Sequence, residues 1–229
     1  MRAEETAGRV QEALSARGLA GKRDYVRSLE QRRDEQAVAL LVGCLSDESG
    51  YLRELAEAAL TTLGDRGGPL LLPLLRQGLW FARASAARTL GRMYYAPAAG
   101  ELLGMCEDRV DYVAREAATA LATIGRHGGG ARIAWELHHV TAERRRTRLE
   151  RLRARDAALA DRVERLLRAE RLMTHPDPDQ LRDDAPLVRV WEERTWREQQ
   201  RIGQEPGEGT PEPLGAGSGT ASGADASAR

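Results

Sequence analysis

Residues 111–125 read DYVAREAATALATIG and residues 50–64 read GYLRELAEAALTTLG, so one amphipathic helix is spelled twice, 61 residues apart. Tyr51, Leu52, Ala56, Ala59, Leu60, Leu63 and Gly64 fall on Tyr112, Val113, Ala117, Ala120, Leu121, Ile124 and Gly125. A shift of 30 gives a third copy, in which Tyr51, Arg53, Ala56, Leu60 and Leu63 fall on Phe81, Arg83, Ala86, Leu90 and Met93. The helix before each copy recurs at the same offsets: Leu41 goes to Leu71 and Leu102, and Leu45 goes to Leu75 and Cys106. The period is therefore about 30 residues, the range of helical repeat arrays. Each unit holds a pair of helices with apolar residues three and four apart. One short pair cannot cover its own stripes, so neighbouring pairs must stack and share a core.

Composition agrees with close-packed helices. Hydrophobic residues make up 41% of the 229 residues but aromatics only 4%, and the apolar content is mostly Leu and Ala. Strands favour Val, Ile and aromatic residues instead. Small Ala at positions 56, 86 and 117 lets neighbouring helices approach closely. Ser49, Asp108 and Asp111 read as helix N-cap or near-cap residues. Pro69, after Gly64-Asp65-Arg66-Gly67-Gly68, reads as an early helical position.

The pattern Asp47…Tyr51-Leu52-Arg53-x-x-Ala56-x-x-Ala59-Leu60-x-x-Leu63-Gly64 resembles a HEAT repeat, and its short period resembles the subtype of phycobilisome-lyase-like HEAT proteins. The resemblance covers three units, roughly residues 37–125. Arg53 and Arg83 match the repeat's Arg position, whereas the third unit has Ala114 with Arg115 displaced by one. Asp47 and Asp108 match its Asp position, whereas the second unit has Gln77. The resemblance implies an all-α, armadillo-like α-α superhelix, or solenoid, and a binding scaffold that holds a protein or peptide partner on its concave face. Two other readings follow from likeness alone. LWFARASAARTL, Leu79–Leu90, is loosely similar to a repeat helix of HEAT-like DNA glycosylases for alkylated bases, which implies nucleic acid. The repeat subtype itself implies a bilin-lyase-like protein.

The flanks are less regular. Residues 1–36 read as an N-terminal helical cap or degenerate repeat, with helices at 3–17 and 22–36. Residues 126–173 read as a degenerate repeat and a basic segment, either one long helix or a pair bent near Asp156. Residues 174–202, opening on His175-Pro176-Asp177-Pro178, read as a C-terminal segment with a helix at 186–202, whose Trp191 and Trp196 either cap the solenoid or anchor another protein, the cap being favoured. The stretch 203–229 is rich in Gly, Pro, Ser, Thr and Ala and reads as a disordered tail.

Candidate site residues come from the repeat geometry. Trp80, Arg88, Arg92, Arg115 and Thr119 are expected on the open side of the inner helices, as a groove for a partner. Because Arg88 and Arg92 are expected to be exposed, reversing their charge should spare the fold. Tyr51, Phe81 and Tyr112 form an aromatic ladder, whose expected role is structural, each ring packing one helix start. AERRRTRLERLRAR, residues 142–155, carries seven Arg against two Glu. It is either a solvated face with Glu–Arg pairs or a phosphate-contacting surface. The chain is formally neutral, which weakens the nucleic-acid reading.

No catalytic group is expected. Cys44 and Cys106 sit at packing positions with no His partner. His138-His139 beside Glu136 lacks a zinc spacing, and Gly128-Gly129-Gly130 lacks the Lys-Ser/Thr of a phosphate loop. Neither a metal nor a cofactor is therefore expected. The buried-looking thiols, the lack of an apolar leader in MRAEETAGRVQEAL and the absence of a spanning run suggest a cytoplasmic protein with no membrane contact.

Overall fold

Asp34 and Ser49 show how the sequence starts its helices. The Asp34 carboxylate accepts from the Ala37 N–H at 2.7 Å, and the Ser49 hydroxyl accepts from the Leu52 N–H at 3.4 Å. Each satisfies an N–H that the first helical turn leaves without a partner. The computed structural model describes residues 18–204, and every regular element among them is helical. The predicted helix 3–17 lies outside the described residues, as does the predicted tail apart from Gly203 and Gln204.

The principal helices are α1 (Leu19–Arg32), α2 (Glu35–Cys44), α3 (Gly50–Leu63), α4 (Gly68–Gln77), α5 (Trp80–Arg92), α6 (Ala99–Met105), α7 (Asp111–Ile124), α8 (Gly130–His138), α9 (Ala142–Arg155) and α10 (Ala157–Leu166). A short α11 (Glu170–Met173) and a long α12 (Pro186–Gln204) follow. None is long and apolar enough to cross a membrane.

Some boundaries differ from those predicted. The helix expected over 22–36 breaks at Arg33, whose φ of 54° places it in the left-handed region. Asp34 then caps the next helix, a local competition between backbone and side chain that hydrophobic spacing does not reveal. Ser49 occupies the N-cap of α3, whereas Asp111 is the first residue of α7, after Val110. Of the two alternatives for the charged stretch after Thr141, the structure shows the pair: it divides at Asp156, whose extended backbone ends α9 and whose carboxylate accepts from Leu159 N–H at 3.0 Å to open α10.

Contacts between helices follow alternation in the chain. Helix α1 packs on α3, α3 on α5, α5 on α7, and α7 on α9. In the same way α2 packs on α4, α4 on α6, α6 on α8, and α8 on α10. Helices α2 and α3, α4 and α5, and α6 and α7 also pair directly. Ala56, Ala86 and Ala117 are fully buried at these crossings, with Leu52, Leu60, Leu90 and Leu121 around them. Cys44 and Cys106 lie in the same core as free thiols, and burial pushes each up to about 12. A thiol so reluctant to ionise is a poor nucleophile.

The described chain falls into two compact units, one through Glu192 and one from Glu193 onward, so the division lies within α12. In the first unit Val188 is buried and Trp191 packs against the core, while Leu187 and Val190 are exposed. In the second, Trp196 is exposed and Arg197 pairs with Glu193 at 3.5 Å.

Candidate functional site

The fourth residue of α1, α3 and α5 is a cation in each case: Lys22, Arg53 and Arg83. Two of these bind an acid just before the next helix in their series. Lys22 meets Asp47 at 3.3 Å. Arg83 gives its Nε and Nη2 to Asp108, at 3.1 and 2.8 Å. Both acids also hold their own turns, Asp47 accepting from Ser49 N–H at 2.8 Å and Asp108 from Val110 N–H at 2.9 Å. The arginines share a further role. Arg83 Nη1 donates to the Gly78 carbonyl at 2.9 Å, and Arg53 Nη1 donates to the Asp47 and Glu48 carbonyls at 2.7 and 2.9 Å.

Arg53 breaks the series. The position that should supply its acid is Gln77, which is the last residue of α4, exposed and with no side-chain hydrogen bond among the described residues. Only Gly78 and Leu79 separate α4 from α5, so Gln77 stays helical, whereas Asp47 and Asp108 lie in longer links. The Nε and Nη2 of Arg53 therefore have no acceptor among the described residues. Its guanidinium lies over the Phe81 ring, 4.7 Å from the centroid.

Phe81 is one wall of an aromatic cluster. Trp80 meets Phe81 edge to face at 5.6 Å and meets Tyr112 edge to face at 6.0 Å. These are favourable ring geometries. Trp80 is nonetheless 49% exposed, and Tyr112 and Tyr51 are exposed as well. The ladder Tyr51, Phe81, Tyr112 was expected to pack helix starts. Tyr51 and Tyr112 are exposed, with the neighbouring Leu52 and Val113 supplying the buried side chains, whereas Phe81, at the same second position of its helix, is half-buried. A cleft of about 580 Å³ opens beside them, bounded by Arg53, Trp80, Phe81, Arg88, Val110 and Tyr112.

An ion-pair network forms the polar end of the cleft. Glu57 has a side chain only 1% exposed, and Arg88 grips it with Nε and Nη2 at 2.9 and 2.8 Å. Arg88 Nη1 donates to Tyr112 Oη at 2.9 Å and to Glu116 at 3.2 Å. Arg92 adds a bond to Glu57 at 3.2 Å. The Glu57 hydrogen bonds hold the Arg88 guanidinium still more firmly protonated than usual. The expectation that Arg88 and Arg92 both stand open to solvent is thus corrected for Arg88. Its side chain is 27% exposed and committed to two carboxylates, while that of Arg92 is 51% exposed.

Arg115 is exposed and pairs with Asp111 at 3.2 Å, one helical turn away. The Thr119 hydroxyl donates to the Arg115 carbonyl at 2.8 Å. The structure thus gathers Trp80, Arg88 and Tyr112 around one cleft, joined by Arg53 and Phe81, with Arg92 reaching it through Glu57. Arg115 and Thr119 take no part in its lining. Helical phase alone does not reveal Glu57 as the anchor of the two arginines. The available signal was its spacing of 31 residues from Arg88, one repeat period.

In the basic segment, Arg145 donates to the Leu137 and His138 carbonyls, each at 2.8 Å, and closes the end of α8. Arg148 pairs with Glu107 at 2.7 Å, and Arg153 with Asp161 and Glu164 at 3.0 and 2.8 Å. Arg144, Arg146, Arg151 and Arg155 are exposed. Among the described residues no group of three or more His, Cys, Asp or Glu side chains is placed to hold a metal ion. Neither a family model nor a curated protein matches the chain.

Proposed function

We propose that this chain is a HEAT-like superhelical scaffold in a reducing, cytoplasmic setting, and that it binds a protein or peptide partner on the face built from α3, α5 and α7. The alternating contacts of the odd and even helices support the stacked-pair architecture. The cation-and-acid positions Lys22–Asp47 and Arg83–Asp108, equivalent in their helices, support a repeat in which each unit clasps the next. The observation that carries the binding role is the exposed Trp80–Tyr112 edge-to-face pair beside an open cleft. Tryptophan and tyrosine are enriched where interfaces gain most of their binding energy.

The test is recovery of partners from native lysate on the immobilised full chain, with nuclease, by wild type and by Trp80→Ala. A protein retained in stoichiometric amount by wild type and lost with Trp80→Ala supports the reading. A partner retained equally by both removes the cleft from it. The exposed Arg144, Arg146, Arg151 and Arg155 of α9 favour a second reading, contact with nucleic acid phosphates. Recovered material that disappears with nuclease or moderate salt would select that reading instead.

A further inference from the structure

Arg53 stands where its counterparts Lys22 and Arg83 hold a carboxylate, and it holds none. Its Nη1 is used by the Asp47 and Glu48 carbonyls, while Nε and Nη2 form the half of the fork that Arg83 gives to Asp108. The unused half belongs to a residue that lines the aromatic cleft. The other strong cations near the cleft are already satisfied, since Arg88 and Arg92 converge on Glu57 and Arg88 also meets Glu116. A residue lining the cleft thus keeps a bidentate donor with no acceptor among the described residues, beside exposed aromatic surface.

We infer that the cleft takes an acidic peptide segment of a partner protein, whose Asp or Glu carboxylate occupies the Arg53 fork in place of the missing intramolecular acid. This rests on the proposed role of the α3–α5–α7 face as a peptide-binding surface. A carboxylate fits a guanidinium edge with paired N–H···O bonds, which a single point charge does not match. A large apolar side chain next to the acid lies against Trp80 and Tyr112. Phe81 lies against the Arg53 guanidinium and the Asp47 and Glu48 carbonyls hold its Nη1, so the group is placed before the partner arrives. The partner completes the Arg–carboxylate series that the chain itself completes at Asp47 and Asp108.

The test is selection of random dodecapeptides displayed on phage against the immobilised full chain. Affinities of the selected peptides are then read by fluorescence anisotropy. Sequences carrying Asp or Glu beside Leu, Phe or Trp are expected. Changing that acid to its amide, or changing Arg53→Met in the protein, should each weaken binding about tenfold, the weight of one charge-assisted pair. The two changes together should weaken it no further, because they remove one interaction. The peptide-side substitution keeps the test valid if Arg53→Met lowers the melting temperature. Peptides that need Trp80 but contain no acid would overturn the inference and leave the binding face intact. Acidic peptides equally weakened by amidation on wild type and Arg53→Met would also overturn it. Binders indifferent to Trp80→Ala would remove both this inference and the reading on which it rests. Sedimentation of the chain as a dimer, reverting to monomer with Trp80→Ala, would assign the cleft to a second copy and overturn the acidic peptide.

Discussion

Gly91 of α5 meets Ala120 of α7 so closely that a Cβ added at Gly91 would lie 2.8 Å from the Ala120 Cα. Real Cβ atoms do not approach backbone at that distance, and the neighbour here is itself helical and cannot swing aside. Ala in place of Gly ordinarily strengthens an exposed helix by about 1 kcal/mol. At this crossing the steric cost of overpacking, about 1–3 kcal/mol, opposes that gain. Gly91→Ala is therefore expected to lower the melting temperature by a few degrees, and Gly91→Leu to prevent cooperative unfolding from being observed. Thermal denaturation followed by circular dichroism reads both, and an Ala variant as stable as wild type would refute the tight crossing.

Glu57 is buried and depends on Arg88 for two of its hydrogen bonds. Removing one partner of a buried ion pair leaves an uncompensated charge and costs about 3–5 kcal/mol. Arg92 still reaches Glu57 in an Arg88→Met variant, so the loss should fall near the lower end. Replacing both residues, Glu57→Met with Arg88→Met, removes the orphaned charge and should restore most of the stability. Urea denaturation of the single and double variants checks this. A double variant no better than Arg88→Met would contradict it. For the same reason charge reversal at Arg88 is not a neutral probe of binding.

Asp108 joins two units through Arg83 and fixes its own turn through Val110. Asp108→Ala removes a mostly buried bidentate pair and a backbone cap together. The expected loss is about 3 kcal/mol. Gln77→Ala, at the corresponding position between α4 and α5, removes nothing and should fall within about 0.5 kcal/mol of wild type. The contrast, measured by chemical denaturation, separates the occupied rungs from the vacant one.

Cys44 and Cys106 are expected to make the fold sensitive to alkali. Their thiols titrate near 9.0 when unfolded and only at about 12 when folded, because burial disfavours the thiolate. Between those values the folded chain keeps protons that the unfolded chain has released. Their contribution is thus fully present below pH 9 and is lost as pH rises toward about 12. Cys44→Ala with Cys106→Ala should flatten the alkaline fall in melting temperature. A thiol-specific disulfide reagent at neutral pH should label neither cysteine before unfolding. Rapid labelling of native protein would contradict the burial.

The helical class was legible because the apolar spacing around Leu52, Leu60, Leu90 and Leu121 repeats with the chain and needs no tertiary knowledge. The boundary at Arg33 was not legible, since it depends on one residue's left-handed backbone, whereas at Asp156 the spacing left one long helix or a bent pair open and the Asp156 cap decides for the pair. The site was legible only in outline. Trp80 and Arg88 could be placed on one face by helical phase, but phase does not say that Arg88 folds down onto Glu57. The same limitation applies to Tyr51 and Tyr112, whose large rings suggested burial although the neighbouring Leu52 and Val113 are the residues buried there. The vacancy at Arg53 needed both the alignment of Gln77 with Asp47 and Asp108 and the observed absence of a contact.

The inter-unit clasps also have a temporal meaning. Lys22 waits only 25 residues for Asp47, and Arg83 waits 25 for Asp108. Glu57 waits 31 for Arg88. Contacts this local in sequence close quickly, because little loop entropy is lost in forming them. During synthesis each helix pair can be covered by the pair translated immediately after it, so the apolar stripes of early units stay open to the solvent only for the time needed to make one more repeat.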